Sequence, residues 1–137
     1  MTVSELMVRD VISIEPDTML FDAVKLMHEH DIRHLPVVDR GRLVGLVTNR
    51  DLRFLASRVS EADVATGSYS LSLEAKVLDV MAPDPIVTEP DVPLGEVLEI
   101  FLEEKIGAIP VVGEDEQLVG IIGYIDLLRH FRDRFVL

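Results

Sequence analysis

Apolar residues recur at intervals of three and four along two stretches of the chain, Leu20, Ala23, Val24 and Met27, then Leu94, Val97, Leu98 and Phe101. That spacing lays one apolar stripe along a helix. Between and beyond them lie short, valine-rich apolar runs at residues 35–38 and 43–48, and again at 109–112 and 118–122, which predict strands. Asp39-Arg40-Gly41-Arg42 suits a hairpin turn, while the second pair of runs is separated by a longer acidic loop. Ile12-Ser13-Ile14 and Ile86-Val87-Thr88 predict short extended segments, each followed by a Pro-Asp pair that suits the turn into a helix. Closing helices are expected from Asp51 and Asp126 onward. Each half of the chain therefore predicts strand, helix, strand, strand, helix, an α/β (α+β) architecture.

The two halves are copies. Val3-Ser4-Glu5-Leu6-Met7 returns as Val77-Leu78-Asp79-Val80-Met81, and Glu15-Pro16-Asp17 as Glu89-Pro90-Asp91. Leu35-Pro36-Val37-Val38 returns as Ile109-Pro110-Val111-Val112; after a slip of one residue, Leu43-Val44-Gly45 and Asp51-Leu52 return as Leu118-Val119-Gly120 and Asp126-Leu127. A unit too small to close a core alone does so by packing on its own copy, so differences between the copies point to function. The boundaries predicted are 1–58 for the first repeat, 59–75 for a linker and 76–137 for the second repeat. The seam falls in residues 57–75, where Thr66-Gly67-Ser68 and Ser70-Leu71-Ser72 are small and polar.

At 137 residues, 48% hydrophobic and 28% charged, the chain suits two half-domains sharing a core. No apolar run approaches the roughly 20 residues of a membrane span. Met1-Thr2-Val3-Ser4-Glu5 carries neither the basic patch nor the apolar stretch of a secretion signal, and cysteine is absent, which together lead us to expect a cytoplasmic protein without thiol chemistry. The net charge of -12 argues against a nucleic-acid surface. Its distribution is uneven: residues 1–58 hold eight of the thirteen basic residues against nine acids, leaving five bases and sixteen acids beyond. An anion would therefore be received more readily by the first repeat.

The run Ile32-Arg33-His34-Leu35-Pro36-Val37-Val38-Asp39, followed by Gly41-Arg42-Leu43-Val44-Gly45-Leu46-Val47-Thr48-Asn49-Arg50-Asp51-Leu52, resembles a CBS domain. The whole chain resembles a tandem CBS pair, or Bateman module, and is loosely similar to the stand-alone pairs associated with acetoin utilisation. The resemblance implies two CBS motifs of roughly β-α-β-β-α packed sheet to sheet with pseudo-twofold symmetry, clefts for adenosine-containing ligands, and a homodimer. It does not fix a ligand, because one scaffold carries many roles.

Within that resemblance, Thr48 and Asp51 match the ribose-binding Ser or Thr and Asp of the family. An ionised aspartate can accept from two neighbouring hydroxyls, and the start of the helix adds backbone N–H donors. The same Thr-x-x-Asp spacing is also a capping arrangement, with the threonine closing the helix start. Arg33 and His34 stand where related modules place basic residues against phosphates, and Arg50 lies close enough in sequence to join them. Ile12, Ile14, Leu35, Pro36 and Val47, with Ile86 and Thr88, are candidates for the walls of an adenine pocket. The second repeat has Gly107, Ala108 and Gly123 in place of Arg33, His34 and Thr48, and keeps only Asp126. A second site there is expected to be empty, weak or suited to an uncharged portion of a ligand; alternatively the small residues make room for close packing.

His28, His30 and His34 do not form a metal set, because the first two point in different directions on a helix and no cysteine or paired carboxylate completes the ligands. No Gly-rich phosphate loop, readable Ser-His-Asp pattern or cofactor-lysine motif suggests catalysis. The function expected is a non-catalytic sensor that binds AMP, ADP, ATP, S-adenosylmethionine or a related adenosyl compound and acts in trans on an effector protein. The alternative is a constitutive dimerisation or protein-interaction module. No required cofactor, nucleic acid or membrane partner is expected.

Overall fold

A computed structural model describes residues 1–52 and 75–135. The chain forms two compact units, Ile12–Asp84 and a second made of Met1–Val11 with Pro85–Leu137. These divide the chain differently from the repeats, because the opening segment of each repeat is built into the unit that carries the other repeat's strand pair. Burial accounts for the arrangement: Val3 and Met7 lie in the core of the second unit, and Val77 in that of the first. Residues 57–74 of the expected seam lie outside the described residues.

In the unit Ile12–Asp84, helix α1 (Leu20–His30) turns Leu20, Ala23 and Met27 inward against Ile14, Leu35, Val37, Val47, Leu52 and Val77. Val24, predicted on the apolar stripe, lies at its border and is exposed. The helix stops at Asp31, which takes the left-handed conformation with φ 51°. Strands β1 (His34–Asp39) and β2 (Arg42–Thr48) pair antiparallel, with His34 opposite Thr48 and Leu35 opposite Val47. The predicted hairpin turn is present: Arg40 and Gly41 have φ of 56° and 82°, and two central residues at positive φ match the right-handed twist of the strands they join. A two-residue strand, β3 (Ala82–Pro83), adds to the other edge of β2 opposite Leu46 and Gly45.

Residues 12–14 differ from expectation. They contribute one parallel bridge, Ile14 to Val37, in which the Ile14 N–H donates to the Pro36 carbonyl at 3.0 Å and Val38 N–H donates to the Ile14 carbonyl at 2.8 Å. Glu15 then enters a turn closed by the Thr18 N–H, at 3.0 Å from its carbonyl, and Pro16 has no N–H to extend a ladder. Residues 86–88 behave alike, with a single bridge from Thr88 to Val111.

The second unit repeats the plan. Helix α2 (Leu94–Glu104) buries Leu94, Val97 and Phe101, and ends at Lys105 with φ 54°. Strands β4 (Ala108–Val112) and β5 (Leu118–Gly123) pair antiparallel, and helix α3 (Tyr124–Arg134) follows directly. Val8 pairs with Ile121 along the free edge of β5, the counterpart of β3 on β2. Ile109, Val111, Ile122 and Leu127 join Val3, Met7 and the α2 residues in one core.

Two glycines admit these edge segments. A Cβ on Gly45 would stand 2.5 Å from the Met81 sulfur and 3.1 Å from the Ala82 carbonyl oxygen; on Gly120 it would stand 2.7 Å from the Met7 sulfur and 3.0 Å from the Val8 oxygen. Each repeated glycine is thus the place where a neighbouring backbone comes too close for a side chain. No described helix is long and apolar enough to cross a membrane.

Candidate functional site

The pleat of the first sheet sorts its residues. Leu35, Val37 and Val47 face the core, while His34, Pro36, Leu46 and Thr48 share the opposite face, since paired residues point the same way and successive ones alternate. His34 and Thr48 are direct cross-strand partners. Just beyond them, the Asn49 N–H donates to the Arg33 carbonyl at 2.8 Å, fastening the end of the hairpin.

The helix that follows begins at Asn49, two residues before its expected start. Thr48 is its cap. The Thr48 N–H donates to Asp51 Oδ2 at 3.0 Å, the Thr48 hydroxyl donates to the same oxygen at 3.0 Å, and the Asp51 N–H donates back to Thr48 Oγ1 at 3.3 Å. This reciprocal pairing satisfies backbone donors that a helix start otherwise leaves open, so the capping reading of the Thr-x-x-Asp spacing holds. It does not use up the carboxylate. Among the described residues all bonds to the carboxylate fall on Oδ2, and Oδ1 has no hydrogen-bond partner. One acceptor oxygen is therefore held in a fixed direction by a fully engaged partner.

His34 is half-buried beside this pair. Burial pushes its imidazole below the usual histidine pKa, the neighbouring Arg33 guanidinium pushes the same way, and Asp51 acts in the opposite sense. The fold thus brings Arg33, His34, Thr48 and Asp51 to one corner. Arg50 occupies the first turn of the helix and is exposed, with no bond tying it to the other four among the described residues.

The expected pocket walls need correction. Leu35 and Val47 have no exposed surface, and both belong with Ile14 to the hydrophobic core of their unit. An isolated apolar residue in a strand looks the same in sequence whether it faces a core or a cleft; the register decides. Thr88 is likewise buried. Pro36 is also fully buried, but it lies on the face shared with His34 and Thr48. Ile12 is half-buried and Ile86 exposed, so these two keep surface to offer. Leu46 shares the Thr48 face and was not among the candidates; its position two residues before Thr48 in a predicted strand was the available signal.

The second unit builds the same corner without its polar groups. Ala108 stands opposite Gly123, the Tyr124 N–H donates to the Gly107 carbonyl at 3.2 Å, and the Gly123 N–H donates to Asp126 Oδ2 at 3.0 Å. A Cβ on Gly123 would meet Asp126 Oδ2 at 3.4 Å and the Gly107 oxygen at 3.5 Å. Those are ordinary contacts, so close packing at the glycine Cα does not account for the missing threonine. His28 and His30 are exposed at the end of α1, and no group of three metal-ligating side chains occurs among the described residues.

Comparison with known proteins agrees with this internal symmetry. Residues 3–58 and 77–133 each match the CBS domain family. Among solved structures, AcuB of Vibrio cholerae, named for acetoin utilisation, is 32% identical with a TM-score of 0.79 over 98% of this chain and 93% of its own. CBSX2 of Arabidopsis thaliana, solved in complex with AMP, is 29% identical with a TM-score of 0.82 over 97% of each chain. An inosine-5'-monophosphate dehydrogenase of Methanocaldococcus jannaschii is 31% identical over 91% of this chain, which spans only 22% of that enzyme's length. With the family matched at both repeats and the same corner built twice, the chain belongs to the CBS domain family and is a tandem CBS pair.

Proposed function

We propose that this protein is a non-catalytic regulatory module that binds a phosphorylated adenosine through its first repeat and acts in trans on an effector protein in the cytoplasm. Asp51 Oδ1 accepts from the ribose hydroxyls, with Thr48 holding the carboxylate in place. Arg33 and His34 meet the phosphate, and Arg50 swings from the first helical turn to join them. A phosphorylated ligand suits this corner better than S-adenosylmethionine, because a phosphate brings more negative charge to Arg33 than a single carboxylate offset by neighbouring ammonium and sulfonium charges. The observation that carries the reading is Asp51 Oδ1, which has no hydrogen-bond partner among the described residues, in a carboxylate that acts on His34 while Arg33 acts on the same ring. The AMP complex of CBSX2 supports the same ligand class.

A sensor needs its ligand to favour one of two arrangements, since equal affinity for both shifts nothing. The test of binding is a thermal melt with AMP, ADP, ATP and S-adenosylmethionine. The melting temperature should rise with the phosphorylated ligands and little with the sulfonium compound; flat curves throughout would reject the reading. One set of observations favours a constitutive interaction module instead: capping alone explains Thr48 and Asp51, and Phe21, Leu102 and Leu128 are exposed. Flat melts together with a stable homodimer in light scattering would select it.

A further inference from the structure

We propose that His34 couples the first-repeat site to pH, so that a phosphorylated adenosine is held more tightly as the imidazole takes up a proton. The inference rests on the ligand reading above and adds a regulator to it. His34 opens β1 directly opposite Thr48, whose hydroxyl is bonded to Asp51. Neither ring nitrogen has a hydrogen-bond partner among the described residues. Among the described residues two charged groups act on the ring: Arg33, next to it in the chain, and Asp51, on the helix that follows β2.

Without ligand, burial and Arg33 outweigh Asp51, and the imidazole is neutral at physiological pH. An anion seated between Arg33 and His34 reverses that balance. It offsets the guanidinium charge and gives the imidazolium an acceptor, and a hydrogen bond from a charged donor is stronger than one from a neutral donor. By linkage, a ligand that favours the protonated ring binds better when that form is populated, and its binding draws in a proton. The sign for the free protein is opposite. Its folded form binds fewer protons at His34 than the unfolded chain does, so this residue subtracts stability as pH falls below the ordinary histidine value of 6.5. Added anion should restore most at the acid end.

The experiment is calorimetric titration of the whole chain with AMP at pH about 6 and about 8, for the natural sequence and for His34→Asn. The AMP phosphate itself titrates near pH 6, and the variant carries that contribution alone. The ratio of natural to variant affinity should be about fivefold larger at the lower pH. A ratio that does not change with pH overturns the coupling while leaving the ligand reading intact. No AMP binding at either pH overturns both. Should His34→Asn fold poorly, an NMR titration of His34 in the natural protein decides the matter: AMP must raise its pKa by more than about 0.7, the shift that would give a fivefold effect if the free ring were fully protonated at the lower pH, and an unmoved titration rejects the proposal.

Discussion

Gly120→Val is expected to destabilise the protein by about 3 kcal/mol, and Gly45→Val by a similar amount. Neither glycine is needed for its backbone angles; each is needed for space. A Cβ at Gly120 would press on the Met7 sulfur and on the Val8 carbonyl oxygen at 3.0 Å, and one at Gly45 on the Met81 sulfur and the Ala82 oxygen at 3.1 Å. A methionine side chain can swing aside, but the carbonyls belong to segments that are hydrogen-bonded to the same strands. Those segments would have to lift, taking Met7 out of one core and straining Met81 against the other. Gly95→Ala provides the contrast. Nothing lies within 4 Å of a Cβ there, in the first turn of α2, so alanine should stabilise by about 0.5 kcal/mol. Chemical denaturation measures all three, and a neutral Gly120→Val would show that the edge segments are not held as described.

The second large effect concerns the site. Asp51→Ala should remove the stabilisation by AMP entirely, about 2.7 kcal/mol at a ligand concentration about 100 times Kd, and should separately lower the unliganded stability by about 1 kcal/mol through loss of the helix cap. Asp126→Ala should show a loss of unliganded stability too, since Asp126 Oδ2 accepts from the Gly123 N–H, while the response to AMP survives. Asp51→Asn distinguishes the two roles of the carboxylate. An amide oxygen still accepts from the Thr48 N–H, so the cap persists, but an NH2 group replaces the free oxygen and faces ribose hydroxyls with a donor. Its affinity should fall at least about tenfold, or about 1.4 kcal/mol, with little change in the unliganded melt.

The duplication and most of the elements were legible because they depend on local periodicity. Short valine-rich apolar runs marked the four long strands within a residue of their observed limits, and a spacing of three and four marked α1 and α2 from their first residues. What escaped was non-local. The pairing of Val8 with Ile121 and of Ala82 with Leu46 involves one or two residues each, too few to leave a pattern, although Gly45 and Gly120 recur at matching places because of it. The polar corner was legible as a set of types: Arg33, His34, Thr48 and Asp51 do meet. Arg50 illustrates the limit, since nearness in sequence did not bring it into the same bonded set. The pocket walls were the weakest part, for Leu35 and Val47 turned out to face the core once register assigned them a side.

The most direct test of the account is the stoichiometry of AMP binding measured by calorimetric titration on the intact chain. One AMP per chain is expected, abolished by Asp51→Ala and retained by Asp126→Ala. Two equivalent sites per chain, or binding that depends on Asp126 instead of Asp51, would contradict it.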